Sequence, residues 1–346
     1  MSFPKIRYTV FGQKPMDIGG LRNVRTTPAS RLPIVLQYRY IENFESRNED
    51  CMEFSPFRLE DRDFIDGFFG EHHYEQADCS FATLYLWQET YDTCWAADGD
   101  VLFIRAGRGE NTFFMPPFAK SREGFSRGLA LIREEAERAH RRFLIKSASP
   151  WVCEQIEKAA PGAYTFTPDR NTWEYIYRTD ELLTLPGKKF RMKKNHLNGF
   201  LRQYPDYVYE PVTAETMGAV REALAEWFAR HGHIEEEERA IGKLLSAWDA
   251  LSARAGVIRI YGKVEAFTAG TLLNERIAHI FFEKANPEIR GLYQAINREF
   301  LLREFSETEF VNREEDLGLP GLRQAKTEYH PDHFAEKYDV VINSIF

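Results

Sequence analysis

The stretch GVIRIYGKVEAFTAGTLLNERIAHIFFE, residues 256–283, determines the fold class of the second half of the chain. It contains three apolar runs, rich in β-branched and aromatic residues, that are separated by two turn pairs. The runs are 256–261, 264–273 and 276–283, and the turns are Gly262-Lys263 and Asn274-Glu275. Runs of this length between Gly and Asn turns are typical of antiparallel strands joined by tight hairpins. The stretch therefore predicts a three-stranded meander.

Patterns of helical period surround the meander. Helices are predicted at 214–229, 235–254 and 290–304, and a short buried strand at 309–311. The first half has a similar order, with a hairpin at Asp98-Gly99-Asp100, a strand at 112–115, a long helix at 121–142 and a strand at 143–145. Because strands, a long helix and a further strand occur in both halves, we interpret the halves as two copies of one fold. The predicted class is α/β (α+β), with two units that each hold a mixed, mostly antiparallel sheet flanked by helices.

The predicted organisation has four parts. Residues 1–41 hold seven Lys or Arg and one acid and show no lasting periodicity, whereas regular patterns begin after Met52. We therefore expect 1–51 to be a disordered or non-native extension. The remaining parts are a first unit at 52–180, a basic connecting helix at 181–205 and a second unit at 206–346 that carries the site.

Composition narrows the class of protein. The 346 residues are 43% hydrophobic, which suits folded units with real cores. No apolar run approaches the roughly 20 residues that span a bilayer, and the four scattered cysteines form no CxxC pair. These features favour a cytoplasmic protein with reduced thiols. The pair His231 and His233 precedes four glutamates, but those acids suit a helix N-terminus, so no metal site is predicted.

A basic segment joins the halves. Six bases and no acid lie between residues 182 and 205 of a chain whose net charge is -8. Leu197, Phe200, Leu201 and Tyr204 recur at helical spacing, so the segment is predicted to be a helix with one buried face. Positive charge at a helix N-terminus is unfavourable, and a bound polyanion would offset it, although a solvated linker is the simpler alternative. The candidate polyanion-binding residues are Lys188, Lys189, Arg191, Lys193 and Lys194.

A polar stretch follows the last buried strand. In NREEDLGLPGLRQAKTEYHP, residues 312–331, acids, bases, a phenol and an imidazole fall within twenty residues. Polar clusters at strand exits are where mixed α/β proteins tend to place their chemistry. The alternative is a solvated acidic loop followed by a surface helix.

Two motifs give the chain a family resemblance. LPGKKFRMKKNHLNGFL, residues 185–201, and the 312–331 stretch are similar to the signature of soluble proteins related to the C-terminal domain of bacterial phosphatidylglycerol lysyltransferase. The resemblance covers about 52–341. It implies a tandem pair of GNAT-like, that is acetyltransferase-like, domains related to the Fem aminoacyltransferases. Members that are joined to a membrane portion move an aminoacyl group from tRNA to a lipid head group.

The resemblance implies transfer of an aminoacyl group, from an aminoacyl-tRNA donor, to an amine or hydroxyl acceptor. The expected partners are tRNA and a small-molecule or lipid head-group acceptor, and no bound cofactor is expected. The strand–helix junction at 283–294 lacks the glycine-rich loop of acetyl-CoA enzymes, although an acyl-CoA donor remains an alternative. The alternative from another class is a non-catalytic module that binds a charged small molecule or nucleic acid.

The candidate residues surround one crevice in the second unit. Glu283 ends an alternating strand and can serve as a base or hold a substrate ammonium, and Asp316 is its alternative. Arg323 and Lys326, one turn apart, can neutralise a phosphate or an oxyanion, or pair with neighbouring acids. The predicted catalytic residues are Glu283, Asp316 and Lys326, and the predicted substrate-binding residues are Arg290, Asn297, Asn312, Glu315, Arg323 and Tyr329.

Overall fold

The computed structural model describes residues 52–70, 72, 74–231 and 235–343. The predictions for 1–51 and for His233 lie outside these residues. The elements up to residue 168 are α1 (Arg62–Phe69), α2 (Phe81–Tyr91), β1 (Cys94–Asp98), β2 (Val101–Ala106), β3 (Phe113–Phe114), β4 (Phe118–Ala119), α3 (Arg122–Arg138), β5 (Ile145–Ala148), α4 (Pro150–Ala159) and β6 (Tyr164–Pro168). The later elements are β7 (Glu174–Arg178), α5 (Thr179–Thr184), α6 (Arg191–Gln203), β8 (Val208–Pro211), α7 (Met217–His231), α8 (Glu235–Ala247), β9 (Arg254–Ile260), β10 (Lys263–Leu272), β11 (Ile277–Ala285), α9 (Leu292–Glu304), β12 (Phe310–Glu315), α10 (Pro320–Thr327), β13 (His333–Ala335) and β14 (Tyr338–Ile342).

Local sequence signals set several of these boundaries. The Ser121 hydroxyl caps α3 by accepting a hydrogen bond from the Gly124 amide at 2.9 Å. The Ser149 hydroxyl caps α4, which has Pro150 in its first turn, where proline is best tolerated. Gly99 adopts φ +57° in the turn between β1 and β2. The predicted hairpin and the predicted meander are both confirmed.

Two predicted helices end earlier than their periodicity indicates. The helix predicted at 121–142 ends at Arg138, because His140 takes a left-handed φ of 50° and turns the chain toward β5. The helix predicted at 235–254 ends at Ala247, and Ser252 adopts φ 48° just before β9. Left-handed residues stop a helix, and short polar residues adopt that conformation more readily than bulky apolar ones. The helical spacing of apolar residues in the sequence therefore extends beyond the residues at which the two helices end.

The strands form two seven-stranded sheets. The first has the order β1-β2-β3-β5-β14-β6, with β4 also paired to β2, and the second has the order β13-β7-β12-β11-β10-β9-β8. The pairs β3–β5 and β11–β12 are parallel and the other pairs are antiparallel. The predicted fold class, two mixed and mostly antiparallel sheets with flanking helices, is confirmed.

The two sheets exchange strands across the predicted unit boundaries. β7, whose sequence lies within 52–180, pairs with β12 and β13 in the second sheet. β14, from the C-terminal end of the chain, lies between β5 and β6 in the first sheet. Each sheet is therefore completed by a strand from the other half of the sequence.

The cores also join the halves. One apolar core packs α1 and α2 of the first half against α7, α8 and one face of the second sheet. A second core fills the other face of that sheet, under α5, α6 and α9. A third lies between the first sheet and helices α3 and α4. Because both faces of the second sheet are covered, polar side chains between its strands are largely shielded from water.

The described residues lack two kinds of feature. No helix among them is long and apolar enough to cross a membrane. No group of three or more His, Cys, Asp or Glu side chains among them is placed to hold a metal ion. The three described cysteines, Cys79, Cys94 and Cys153, are free thiols.

Candidate active site

The central strands of the second sheet separate at their carboxyl ends. β11 and β12 pair in parallel over three residues only, from Ile277 with Phe310 to His279 with Asn312. The register also shifts in the pairing of β11 with β10 and in the pairing of β12 with β7. Glu314 in β12 adopts φ 57°. Bulges of this kind re-aim side chains and are frequent near active sites. Beyond His279 and Asn312 the two strands no longer pair, and we call the gap between their carboxyl ends the crevice.

Glu283 and Arg313 face each other across this crevice. Their Oε1 and Nη2 atoms are 2.7 Å apart, and the side chains are 11% and 14% exposed. The other oxygen of Glu283 accepts a hydrogen bond from Asn297 Nδ2 of α9 at 2.9 Å. The Arg313 guanidinium also lies 4.8 Å from the centre of the Tyr329 ring. Three predicted residues, Glu283, Asn297 and Tyr329, thus meet around an arginine that sequence reasoning did not select.

One nitrogen of Arg313 is left without a partner. Nη1 is buried and makes no hydrogen bond among the described residues, although the Tyr329 hydroxyl lies close to the guanidinium. Leaving a buried donor unpaired costs about 1–3 kcal/mol, and the cost is higher for a charged group. An anionic oxygen that entered the crevice would satisfy this donor.

Lys326 lies behind the same strand end. Its Nζ donates hydrogen bonds to the carbonyl oxygens of Arg313 and Glu315, at 2.6 and 2.5 Å. Burial lowers the pKa of Lys326 to about 8, and nearby carboxylates offset only part of that effect. Burial likewise raises the pKa of Glu315 to about 7. These two predicted residues therefore both change charge near neutral pH.

Asp316 is fully buried and its carboxylate is saturated with donors. Arg323 makes a two-pronged pair with it at 2.8 Å on each oxygen, and the Tyr175 hydroxyl donates at 2.6 Å. Arg170 lies 3.3 Å away. Burial alone would raise the pKa of Asp316, but the hydrogen bonds from Arg323 and Tyr175 outweigh it and lower the pKa. This is the geometry of an anchor that fixes the start of α10.

Asn312 points away from the crevice. Its Nδ2 donates to the Glu75 carbonyl at 2.7 Å and to Glu174 at 2.5 Å. Glu174 in turn lies 2.5 Å from Lys337, which also pairs with Asp78 at 2.7 Å. This buried ion cluster of Asp78, Glu174 and Lys337 ties the first half of the chain to β12. The structure therefore separates Asn312 from Glu283, and it places Asn312 in an inter-unit contact.

The basic segment lies beside the crevice. Lys193 is buried, pairs with Glu328 at 2.8 Å, and lies 4.7 Å from the centre of the Tyr329 ring. Lys189 pairs with Glu181 at 2.8 Å. The other three bases are exposed and have no carboxylate partner among the described residues; they are Lys188, Arg191 and Lys194.

α6 and the start of α9 pack closely. Gly291 adopts φ 89°, and a Cβ there would lie 2.2 Å from the carbonyl oxygen of His196. Only glycine fits both the conformation and the space. Burial lowers the pKa of His196, and the positive charges of Arg290 and Lys193 lower it further. Arg290 is exposed at this junction. The close packing brings Arg290 next to the basic segment.

The chain matches known proteins along most of its length. Residues 71–341 match the model of the family described as phosphatidylglycerol lysyltransferase, C-terminal. A conserved protein of unknown function from Bacteroides thetaiotaomicron is 33% identical, with 85% of this chain and 100% of that chain covered and a TM-score of 0.78. An uncharacterised protein of Mycoplasmoides gallisepticum is 24% identical over 176 residues, which are 49% of this chain and 56% of that protein. The chain thus spans a little over half the length of this curated relative.

Two more distant structures show the same fold. The C-terminal domain of a putative lysylphosphatidylglycerol synthetase from Agrobacterium fabrum is 15% identical, with 83% of this chain and 93% of that chain covered and a TM-score of 0.60. L-PGS from Bacillus licheniformis is 16% identical, with 81% and 91% covered and a TM-score of 0.56. With the two helix-flanked sheets, these matches confirm the tandem GNAT-like fold that the resemblance implies. The chain belongs to the phosphatidylglycerol lysyltransferase C-terminal family.

Proposed function

We propose that this protein is an acyltransferase that moves an aminoacyl group from aminoacyl-tRNA to an amine or hydroxyl acceptor. The family to which the chain belongs is described as phosphatidylglycerol lysyltransferase, C-terminal. The crevice of this chain holds basic and acidic side chains of the kinds that acyl transfer needs. Such a reaction needs a proton acceptor and a donor for the tetrahedral oxyanion. We assign these roles to Lys326 and Arg313.

The observation that carries the proposal is the unpaired Nη1 of Arg313. This guanidinium is held by Glu283 on one side and lies over Tyr329, so its free N–H is preorganised. When an acceptor attacks the ester carbonyl, the carbonyl electron pair moves onto oxygen, and Nη1 donates a hydrogen bond to that oxyanion. A preorganised donor of this kind contributes about 10²–10³-fold in rate.

Lys326 is suited to move the proton. As a neutral amine it has two N–H groups, which satisfy the carbonyls of Arg313 and Glu315, and one lone pair. With a pKa of about 8, a useful fraction is neutral near pH 7. The lone pair takes the proton of the attacking amine or hydroxyl. The proton is then returned to the ribose oxygen as the ester bond breaks.

The other candidate residues have supporting roles in this proposal. Glu283 and Asn297 hold Arg313 in place, and Asp316 and Arg323 fix α10 and therefore Lys326. Arg290 and the exposed bases of the basic segment bind phosphates of the tRNA. Positive charge beside a crevice attracts a polyanion and raises its rate of association.

The direct test incubates the full chain with aminoacyl-tRNAs carrying radiolabelled amino acids, in the presence of phosphatidylglycerol vesicles or of soluble amines. The expected result is amino-acid-selective loss of label from tRNA and its appearance on one acceptor. We expect Lys326→Met to slow transfer at least 100-fold, and the exposed Lys158→Met to leave the rate unchanged. Transfer by Lys326→Met at the wild-type rate would exclude the proton-transfer role. Failure of the wild type on all donors and acceptors would favour a non-catalytic binding module.

Binding of tRNA is tested separately through its salt dependence. The triple variant Lys188→Gln, Arg191→Gln and Lys194→Gln removes exposed bases next to the crevice. If each base contacts one phosphate, the slope of log Kd against log salt should fall by about 2–3. A control that neutralises Arg108, Arg133 and Lys158 changes net charge equally but lies elsewhere. Equal slopes for the two variants would exclude the basic segment as the tRNA surface.

A further inference from the structure

A separate cleft lies at the turn end of the second sheet. α1, the segment from Tyr74 to Ala82, and the β10–β11 hairpin enclose about 350 Å³. This volume falls at the lower end of the range for small-molecule sites, about 300–1,000 Å³. The cleft is formed by elements of both halves of the chain, and junctions between units are common places for ligand sites.

This cleft is distinct from the crevice that holds Glu283. The hairpin turn at Asn274 and Glu275 precedes β11, whereas Glu283 lies near the end of that strand. Glu283 lies six positions beyond Ile277 along β11, which corresponds to about 20 Å. The inference that follows therefore does not depend on the proposed transfer reaction.

The cleft carries more negative than positive charge. Among the described residues, Asp66 accepts two long hydrogen bonds, both of 3.3 Å, from the Arg62 Nε atom and the Phe81 amide. Arg62 also donates hydrogen bonds to the Ala250 carbonyl and to the Ser252 hydroxyl, so its guanidinium is not directed at Asp66 alone. Burial raises the pKa of Asp66, and the hydrogen bonds from Arg62 and the Phe81 amide offset only part of that effect.

The rest of the lining suits an organic cation. Glu275 adds a second carboxylate, which has no ion-pair partner in the described part of the chain. The aromatic rings of Phe69 and Tyr74 line the cleft, and such rings attract ammonium groups and pack against alkyl carbon. The Ser80 hydroxyl also lines it and makes no capping bond to α2. We propose that this cleft binds a small primary amine, with its ammonium between Asp66 and Glu275 and its carbon chain against the two rings.

Ligand-observed saturation-transfer NMR tests this inference on the full chain at pH 7. The probe is n-butylamine, which is protonated at this pH, and the control ligand is the uncharged n-butanol. We expect n-butylamine to bind at least tenfold more tightly than n-butanol. Asp66→Asn should weaken n-butylamine about tenfold, as expected for loss of one charge-assisted hydrogen bond. Glu275→Gln should weaken it about twofold to threefold, because that carboxylate is exposed.

Matched variants locate the site. Asp63→Asn removes an exposed carboxylate from the same helix outside the cleft and should change binding less than twofold, because its charge reaches Asp66 only through space. Lys326→Met alters the other crevice and should also leave it unchanged. Equal affinities for n-butylamine and n-butanol would overturn the proposal. So would wild-type affinity in a folded Asp66→Asn protein, or in Glu275→Gln if Asp66→Asn does not fold.

Discussion

Lys337→Met is the substitution whose effect the structure defines most sharply. Lys337 is 3% exposed, and its Nζ lies 2.7 Å from Asp78 and 2.5 Å from Glu174. Methionine keeps a similar length but removes the charge, so Glu174, which is 0% exposed, loses the cation with which it forms an ion pair in the described part of the chain. The Ala77 amide and the Asn312 amide group remain as its donors. Breaking a buried pair by removing one partner costs about 3–5 kcal/mol, and we expect a loss of that size.

Urea unfolding at pH 7 measures the loss, with Lys158→Met as the control. Lys158 pairs with Glu154 at 3.7 Å, and the two side chains are 56% and 68% exposed. Such a pair contributes about 0–1 kcal/mol. In thermal unfolding the Lys337 variant should melt about 5–8 °C lower, because an unfolding entropy of about 2.1 cal/mol/K per residue gives about 1.5 °C per kcal/mol for a chain of this length. A cost below about 1 kcal/mol, equal to that of the control, would refute the assignment of this cluster as a structural tie.

The pH dependence of this loss has a defined sign. Burial would lower the pKa of Lys337, but Asp78 and Glu174 outweigh it and raise the pKa well above its usual value. The contribution of Lys337 is therefore complete below about pH 10 and is lost as the pH rises through the folded-state pKa. For Asp78, burial raises the pKa, but Lys337 outweighs it and the net pKa is lowered. The contribution of Asp78 is present above about pH 4 and is lost as the pH falls. The stability difference between wild type and variant should shrink below about pH 4 and above about pH 10.

Three further predictions concern the crevice and its supports. Gly291→Ala should destabilise the protein by about 1–3 kcal/mol in urea unfolding, because alanine at φ 89° would also press on α6. Arg323→Ala should lower the melting temperature and leave Asp316 buried without its main cation, whereas Arg323→Lys should recover only part of the loss. Because the pKa of Glu315 is raised to about 7, the free energy of unfolding should fall as the pH rises from 4.5 to 7. Because the pKa of Lys326 is lowered to about 8, the free energy of unfolding should increase as the pH rises from 8 to 10.

Each of these predictions has a control or a contradicting result. Gly199→Ala lies inside α6 with open space at its Cβ, so it should be neutral or stabilising, and a loss equal to that of Gly291→Ala would argue against a steric cause. A melting temperature of Arg323→Lys equal to that of the wild type would show that the two-pronged geometry is unimportant. Glu315→Gln should abolish the loss of stability that accompanies a rise in pH from 4.5 to 7. An unchanged profile of stability against pH would show that another group causes this loss.

The sequence predicted those features that depend on local order. The meander, the first hairpin and the helix at 290–304 follow from periodicity and turn residues within short windows. Glu283 and Asn297 could be placed near each other because the strand and the following helix are adjacent in sequence. Arg313 sits in the polar motif, but a single charged residue beside three acids gives no signal of which one it pairs with.

Other features depend on contacts between distant segments. Glu174 appears in the sequence as one polar residue at the start of a strand, and Lys337 as one base between two short strands. Their pairing needs the exchange of β7 and β14, which periodicity does not reveal because it specifies a strand and not its neighbour. The bulges that turn Asn312 away from Glu283 are likewise invisible in an alternating pattern. The predicted site therefore contained both crevice residues and residues of the inter-unit contact.

The strand exchange has a consequence for synthesis on the ribosome. β14 fills the position between β5 and β6, so the first sheet stays incomplete until residues 338–342 have left the exit tunnel. Most multidomain chains complete their N-terminal unit first. In this chain, each sheet is complete only after strands from the second half have been synthesised. These strand pairs join residues that are far apart in sequence, and such contacts slow folding. A nascent chain halted before β14 would leave the backbone N–H and C=O groups along the facing edges of β5 and β6 unpaired, and it would depend on chaperones to keep these edges from aggregating.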